Sequence, residues 1–151
     1  MDQKWIGVGK YHLLAVEHWP ESAYCLGTVL LLPGFFHPMC DLDYFMSKLA
    51  RRLKGDDFRV IQLDMAGMGD SPGASTDVCL TEVRDGLREL LHRLKEEGPA
   101  PVYGIGRGLN ATLLSDAAAG GMVQGIAGIA PYRMDLAARS FVRTSTAQDA
   151  R

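Results

Sequence analysis

Charge of either sign never accumulates in this sequence. Sixteen basic residues stand against eighteen acidic ones, a formal net charge of −2. Aromatics make up only 8% of the chain, and no Lys/Arg cluster interleaves with them. Both features argue against nucleic acid as a partner. Cysteine is sparse as well: Cys25, Cys40 and Cys79 are an odd number without metal-ligand spacing. That pattern predicts reduced thiols in a cytosol, packed as small hydrophobes, and no metal site. No apolar run approaches membrane-spanning length, and no apolar segment follows Met1-Asp2-Gln3-Lys4 as it would in a secretion signal. The expectation is a cytoplasmic, soluble protein with no membrane association. Internal repeats, low-complexity stretches and interdomain linkers are missing too, and nothing calls for a cofactor.

What remains is the make-up of one globular domain: 151 residues, 47% hydrophobic and 23% charged, enough to bury a core. Lys4 to Val8 and His12 to Glu17, split by Gly9-Lys10, predict an opening antiparallel hairpin. Thr28 to Leu32 is continuously apolar, as a strand buried on both faces of a parallel sheet should be. Beyond Asp41, the residues Leu42, Phe45, Met46, Leu49 and Leu53 fall at helical spacing, and Gly55 stops that helix. Phe58 to Leu63 is the next strand, followed by a turn-rich loop from Asp64 to Gly73. A second helix carries Leu80, Val83, Leu87, Leu90, Leu91 and Leu94 on one stripe, with Thr76 or Asp77 as its N-cap and Gly98 as its end. A strand from Pro101 to Ile105, a helix from about Leu109 to Ala118 and a strand from Val123 to Ala130 complete the series. Alternating strands and helices predict an α/β fold, a mostly parallel doubly wound sheet of about six strands. The core should occupy residues 1–132, with a polar tail over 133–151 that holds one short helix at most. Ligand sites in such sheets lie at the carboxyl ends of the strands.

One stretch there stands out. Tyr103-Gly104-Ile105-Gly106-Arg107-Gly108-Leu109 puts three glycines in five positions between a strand and a helix, so the backbone can turn sharply. In order along the chain, three features resemble the α/β-hydrolase family. The strand Val29 to Leu32 ends in Pro33-Gly34-Phe35-Phe36. Asp64, Gly67, Gly69, Asp70 and Ser71 look like the loop after that family's fourth strand, and weakly like its serine-aminopeptidase-like and exosortase-associated members. Gly104-Ile105-Gly106-Arg107-Gly108 looks like the nucleophile elbow, whose pattern is G-x-S-x-G. Read in that register, the serine position is Gly106, which has no side chain to attack with. The resemblance covers roughly residues 4 to 132. It implies a fold cut short of the strands that carry the family's acidic residue and histidine.

The resemblance also assigns oxyanion-type backbone positions: Arg107, after the nucleophile position, and Phe35 or Phe36 in the loop after the third strand. Candidate ligand-binding residues are Gly34, His37, Arg107 and Ser71, of which Arg107 suits a small acyl or anionic ligand. Its competing role is an internal salt bridge. Ser71, Cys40 and Ser115 are the available substitute nucleophiles, but each has an ordinary role as a turn former, a packed thiol or a helix residue. Asp64 and Asp70 are expected to cap their loop. The leading expectation is a catalytically silent hydrolase-like protein acting as a binding or partner subunit. The alternative is part of a serine-hydrolase-type esterase or acyl hydrolase whose nucleophile, acid and histidine come from another chain or have been lost from this one. The strand Val123 to Ala130 carries no charge, so it is expected to recruit a protein partner or a second copy.

Overall fold

The computed structural model describes residues 1–99 and 101–131. The strands are β1 (Asp2–Val8), β2 (Tyr11–His18), β3 (Gly27–Leu32), β4 (Phe58–Leu63), β5 (Val102–Arg107) and β6 (Gly125–Ile129). The helices are α1 (Phe45–Gly55), α2 (Leu80–Glu97) and α3 (Leu109–Ala117). The six strands form one sheet in the order β1-β2-β4-β3-β5-β6. The opening hairpin is antiparallel, and β2 pairs antiparallel with β4. The pairs β3–β4, β3–β5 and β5–β6 are parallel, joined by helical crossovers as parallel strands require. The uninterrupted apolar run of β3 is explained by its place: all six of its residues are buried between β4 and β5. The polar tail expected over 133–151 lies outside the described residues.

The two faces of this sheet are filled differently. Leu30 and Leu32 of β3, Ile61 and Leu63 of β4, and Leu13 and Ala15 of β2 point into a large core shared with α2 and α3. The stripe read from the α2 sequence is the one that faces it: Val83, Leu87, Leu90, Leu91 and Leu94 are all buried. Alternate residues point the other way, as the two-residue strand period demands. There Val29, Leu31, Val60 and Ala50 form a small cluster under α1, with Leu49, Leu53, Phe58, Tyr103 and Ile105 packed against it.

Three local expectations need correction. The helix expected from Leu42 is interrupted: Leu42–Tyr44 is a 3-10 turn, Asp43 and Tyr44 take left-handed φ, and α1 begins at Phe45. Leu42 and Phe45 therefore leave the apolar stripe and stand exposed, while Met46 and Ala50 face the sheet. Neither Thr76 nor Asp77 caps α2. Both belong to a separate 3-10 turn, and the N-cap position is Cys79, whose side chain makes no capping bond. The last strand is shorter than Val123 to Ala130 and forms an edge of the sheet among the described residues.

Candidate functional site at the β5–α3 turn

The sharp turn sits at Gly108, two residues beyond the expected pivot. Gly108 has φ 58° and ψ −130°, a conformation that side chains on L-residues resist. Its N–H donates to the Ile129 carbonyl at 2.9 Å, which fixes the end of β5 against β6. Gly106 is still inside the strand, and its glycine identity has a different cause. A Cβ there would lie 2.6 Å from Ala111 Cα and 2.8 Å from Ala111 N, so α3 packs directly on its backbone. The G-x-X-x-G frame is therefore Gly106-Arg107-Gly108-Leu109-Asn110, with Asn110 in place of the second glycine. The central position still carries no nucleophile. Arg107, the expected oxyanion-type position, lies at the end of β5, and Leu109 opens α3.

Arg107 does something else. Its Nη1 donates to Asp41 Oδ1 at 2.6 Å, and the Asp41 side chain is fully buried. Burial alone would raise the Asp41 pKa. The Arg107 hydrogen bond, the Leu42 N–H and the positive charge of Arg107 outweigh it and hold the carboxyl below its ordinary range. Asp41 Oδ2 is buried without a partner among the described residues. Asn110 shows the same half-satisfaction: Nδ2 donates to the Pro33 carbonyl at 2.7 Å, and Oδ1 has no partner. His37 stands 3.9 Å from Asp41 Oδ1 through Nδ1, with its ring laid over Gly34, where a Cβ would come within 2.7 Å of it. Arg107, Asp41, His37 and Gly34 thus form one group at the carboxyl ends of β3 and β5.

The remaining candidates do not join it. Phe36, at φ 68°, donates its N–H to Met68 Sδ, and Phe35 packs on the larger core. Ser71 is committed elsewhere: its hydroxyl donates to the Asp64 carbonyl at 2.7 Å and accepts the Leu14 N–H at 2.8 Å. It pins the loop to β2. Asp64 caps the same region by accepting the N–H groups of Met39 and Asp70, and burial raises its pKa. Ser115 lies exposed on α3. Among the described residues no group of three or more His, Cys, Asp or Glu side chains can hold a metal ion.

No family model matches the sequence, and no curated protein sequence matches it. Solved structures do. The α/β hydrolase GrgF from Penicillium sp. superposes with a TM-score of 0.71 at 15% identity, over 99% of this chain and 54% of its own. An α/β serine hydrolase homologue from Coxiella burnetii gives 0.69 at 15% identity, over 86% and 62% of the two chains. An α/β hydrolase from Novosphingobium aromaticivorans gives 0.64 at 25% identity, over 84% and 43%. The chain has an α/β-hydrolase-like fold. It spans about half the length of the solved hydrolases it matches.

Within that fold, Asp41, Gly108 and Asn110 are the site residues that sequence reasoning missed. Asp41 carried a weak signal: an Asp ahead of an apolar periodic run is a capping candidate, and its Oδ1 does accept the Leu42 N–H at 2.8 Å. Gly108 was visible in the glycine turn, but the G-x-x-x-G spacing of Gly104 and Gly108 centres on Gly106, because position 110 is Asn.

Proposed function

We propose that this chain is a catalytically silent α/β-hydrolase-like protein that works as a binding or partner subunit. The observation that carries the reading is the glycine at position 108, the residue from which an α/β-hydrolase elbow presents its nucleophile. The nearest polar groups do not replace it. Arg107 Nη1 and Asp41 Oδ1 are bonded to each other, and Ser71 is held in its loop. The three cysteines are free thiols, which supports a cytosolic setting.

The partner role is supported by the sheet edge. β6 is uncharged, paired only with β5 among the described residues, and half-buried to exposed along its length. Beside it, on the α1 face, an apolar groove of about 350 Å³ is lined by Leu53, Phe58, Tyr103, Ile105 and Ile126. A strand added to β6 and an apolar helix laid in this groove would cover both. A second reading keeps hydrolase chemistry: another chain completes the fold and brings nucleophile, acid and histidine. Its support is that the solved hydrolases are about twice as long as this chain.

The experiment joins three measurements. The purified chain is expected to leave p-nitrophenyl esters uncleaved. Gly108→Ser is expected to stay unlabelled by a fluorophosphonate probe, since a serine without an oriented base is a poor nucleophile. Wild type is expected to associate in light scattering coupled to size exclusion, and Ile126→Lys to dissociate it. Rapid stoichiometric labelling of Gly108→Ser would mean a base is in place and would sink the silent reading. A wild type that remains monomeric at high micromolar concentration would sink the partner role.

A further inference from the structure

On the α1 face, at the far side from the β6 groove, β2, β4 and α1 line a second, open pocket of about 510 Å³. Its lining includes the apolar Val16, Met39 and Cys40, and Arg51 and Lys54 of α1. The lining contains cations and no carboxylate. Lys54 already pairs with Glu21 at 2.7 Å, whereas Arg51 has no ion pair among the described residues. At the back, His18 is buried and hydrogen-bonded to Gln62 at 2.9 Å. Gln62 Nε2 donates to the Met39 carbonyl at 3.1 Å, so Oε1 is the atom turned to His18. His18 Nε2 therefore donates, and Nδ1 keeps its lone pair. Burial first, then the charges of the N-terminus, Lys54 and Arg51, keep His18 below the ordinary imidazole range. Apolar walls with one unpaired cation, Arg51, beside the Lys54–Glu21 pair are the complement of an amphiphilic anion.

We infer that this cavity binds a hydrophobic carboxylate, its apolar chain against Val16, Met39 and Cys40 and its head group at Arg51. The site is separate from the β5–α3 turn and does not depend on whether that turn is silent. It is joined to the turn by chain continuity alone: Met39 and Cys40 lead directly into Asp41, the partner of Arg107.

Isothermal titration of the whole chain with octanoate, octan-1-ol and octylamine tests the inference. Octanoate should bind saturably with one site per chain, and octanol and octylamine should bind at least about tenfold more weakly. Arg51 is exposed, so Arg51→Glu should keep the fold, checked by circular dichroism, and weaken octanoate by about tenfold or more. Ser47→Trp, which places an indole in the cavity from its α1 side, should abolish binding of all three. Absence of saturable octanoate binding at millimolar concentration overturns the inference. So does unchanged affinity in Arg51→Glu, or equal binding of octylamine. Octanoate binding that survives Ser47→Trp would place the ligand elsewhere and overturn it as well.

Discussion

The two faces of the sheet share the same six strands and differ in what presses on them. On one face, α2 and α3 close over a core that runs from Val8 to Ala118. On the other, α1 covers only the middle and leaves a groove on each side. β5 records the contrast residue by residue. Its positions facing α3 are Val102, Gly104 and Gly106, all buried; those facing the other way are Tyr103, Ile105 and Arg107, all half-buried. Small residues mark the face where a helix comes close enough to touch backbone. Large ones mark the face where side chains must themselves do the covering. The contrast shows where apolar surface is left for a ligand or partner; the opening on the α2 face, between β1 and α2, is lined by Lys4, Arg59, Arg93 and Glu97 instead.

The contrast is open to test, and the largest effect is expected on the tight face. Gly106→Ser puts a Cβ into the Ala111 backbone and should cost about 3 kcal/mol in urea unfolding, or prevent folding. Tyr103→Ala is the matched change one face over on the same strand. It should cost about 1 kcal/mol, because the ring is already half in solvent and stacks edge-on against Phe58 at 5.9 Å. Equal costs would show that the α1 face is as tightly packed as the other, and that the groove is not open.

A middle-sized effect belongs to the group at the carboxyl ends of the strands. Arg107→Ala should destabilise by about 2 kcal/mol, since it strands the buried Asp41 carboxylate. Arg107→Ala combined with Asp41→Ala should recover most of that loss. A double variant as weak as the sum of the two singles would mean that the residues act independently, against the geometry.

The smallest effect concerns pH on the α1 face. His18 is held neutral, with its folded pKa below the ordinary value of 6.5. The unfolded chain therefore binds the proton first. The stability that His18 contributes is complete above that ordinary value and is lost progressively as the pH falls below it. Urea midpoints measured from about pH 7.5 down to about pH 5.5 should decline in wild type, and His18→Gln should flatten that decline. A decline that His18→Gln leaves unchanged would assign it to other groups.

Much of this was legible in the sequence for a simple reason. Strand and helix periods are local properties, and a run such as Thr28 to Leu32 can be buried on both sides in few other ways. The α2 stripe read correctly because a long amphipathic helix averages over its exceptions. Short elements gave no such average. Leu42 and Phe45 fitted the helical period and still came out exposed, because left-handed turns at Asp43 and Tyr44 rotate the chain before α1 starts. Ser71 was legible as a turn former, but its bond to Leu14 joins positions 57 residues apart and has no sequence signature.

By itself, the sequence determined the order of elements, the α/β class and the lack of a nucleophile in the glycine turn, since composition and periodicity are enough for each. Only the tertiary structure decided which glycine is the pivot. Gly104, Gly106 and Gly108 are chemically identical, and what distinguishes them is the distance to α3 and the sign of φ. It also decided where one Arg107 N–H goes. A guanidinium at a strand end can meet a carboxylate of its own chain only if the fold supplies one, and here Asp41, 66 residues away, is brought within 2.6 Å. Such pairings depend on where distant segments are placed, and that placement follows from packing the whole sheet rather than from any stretch of it.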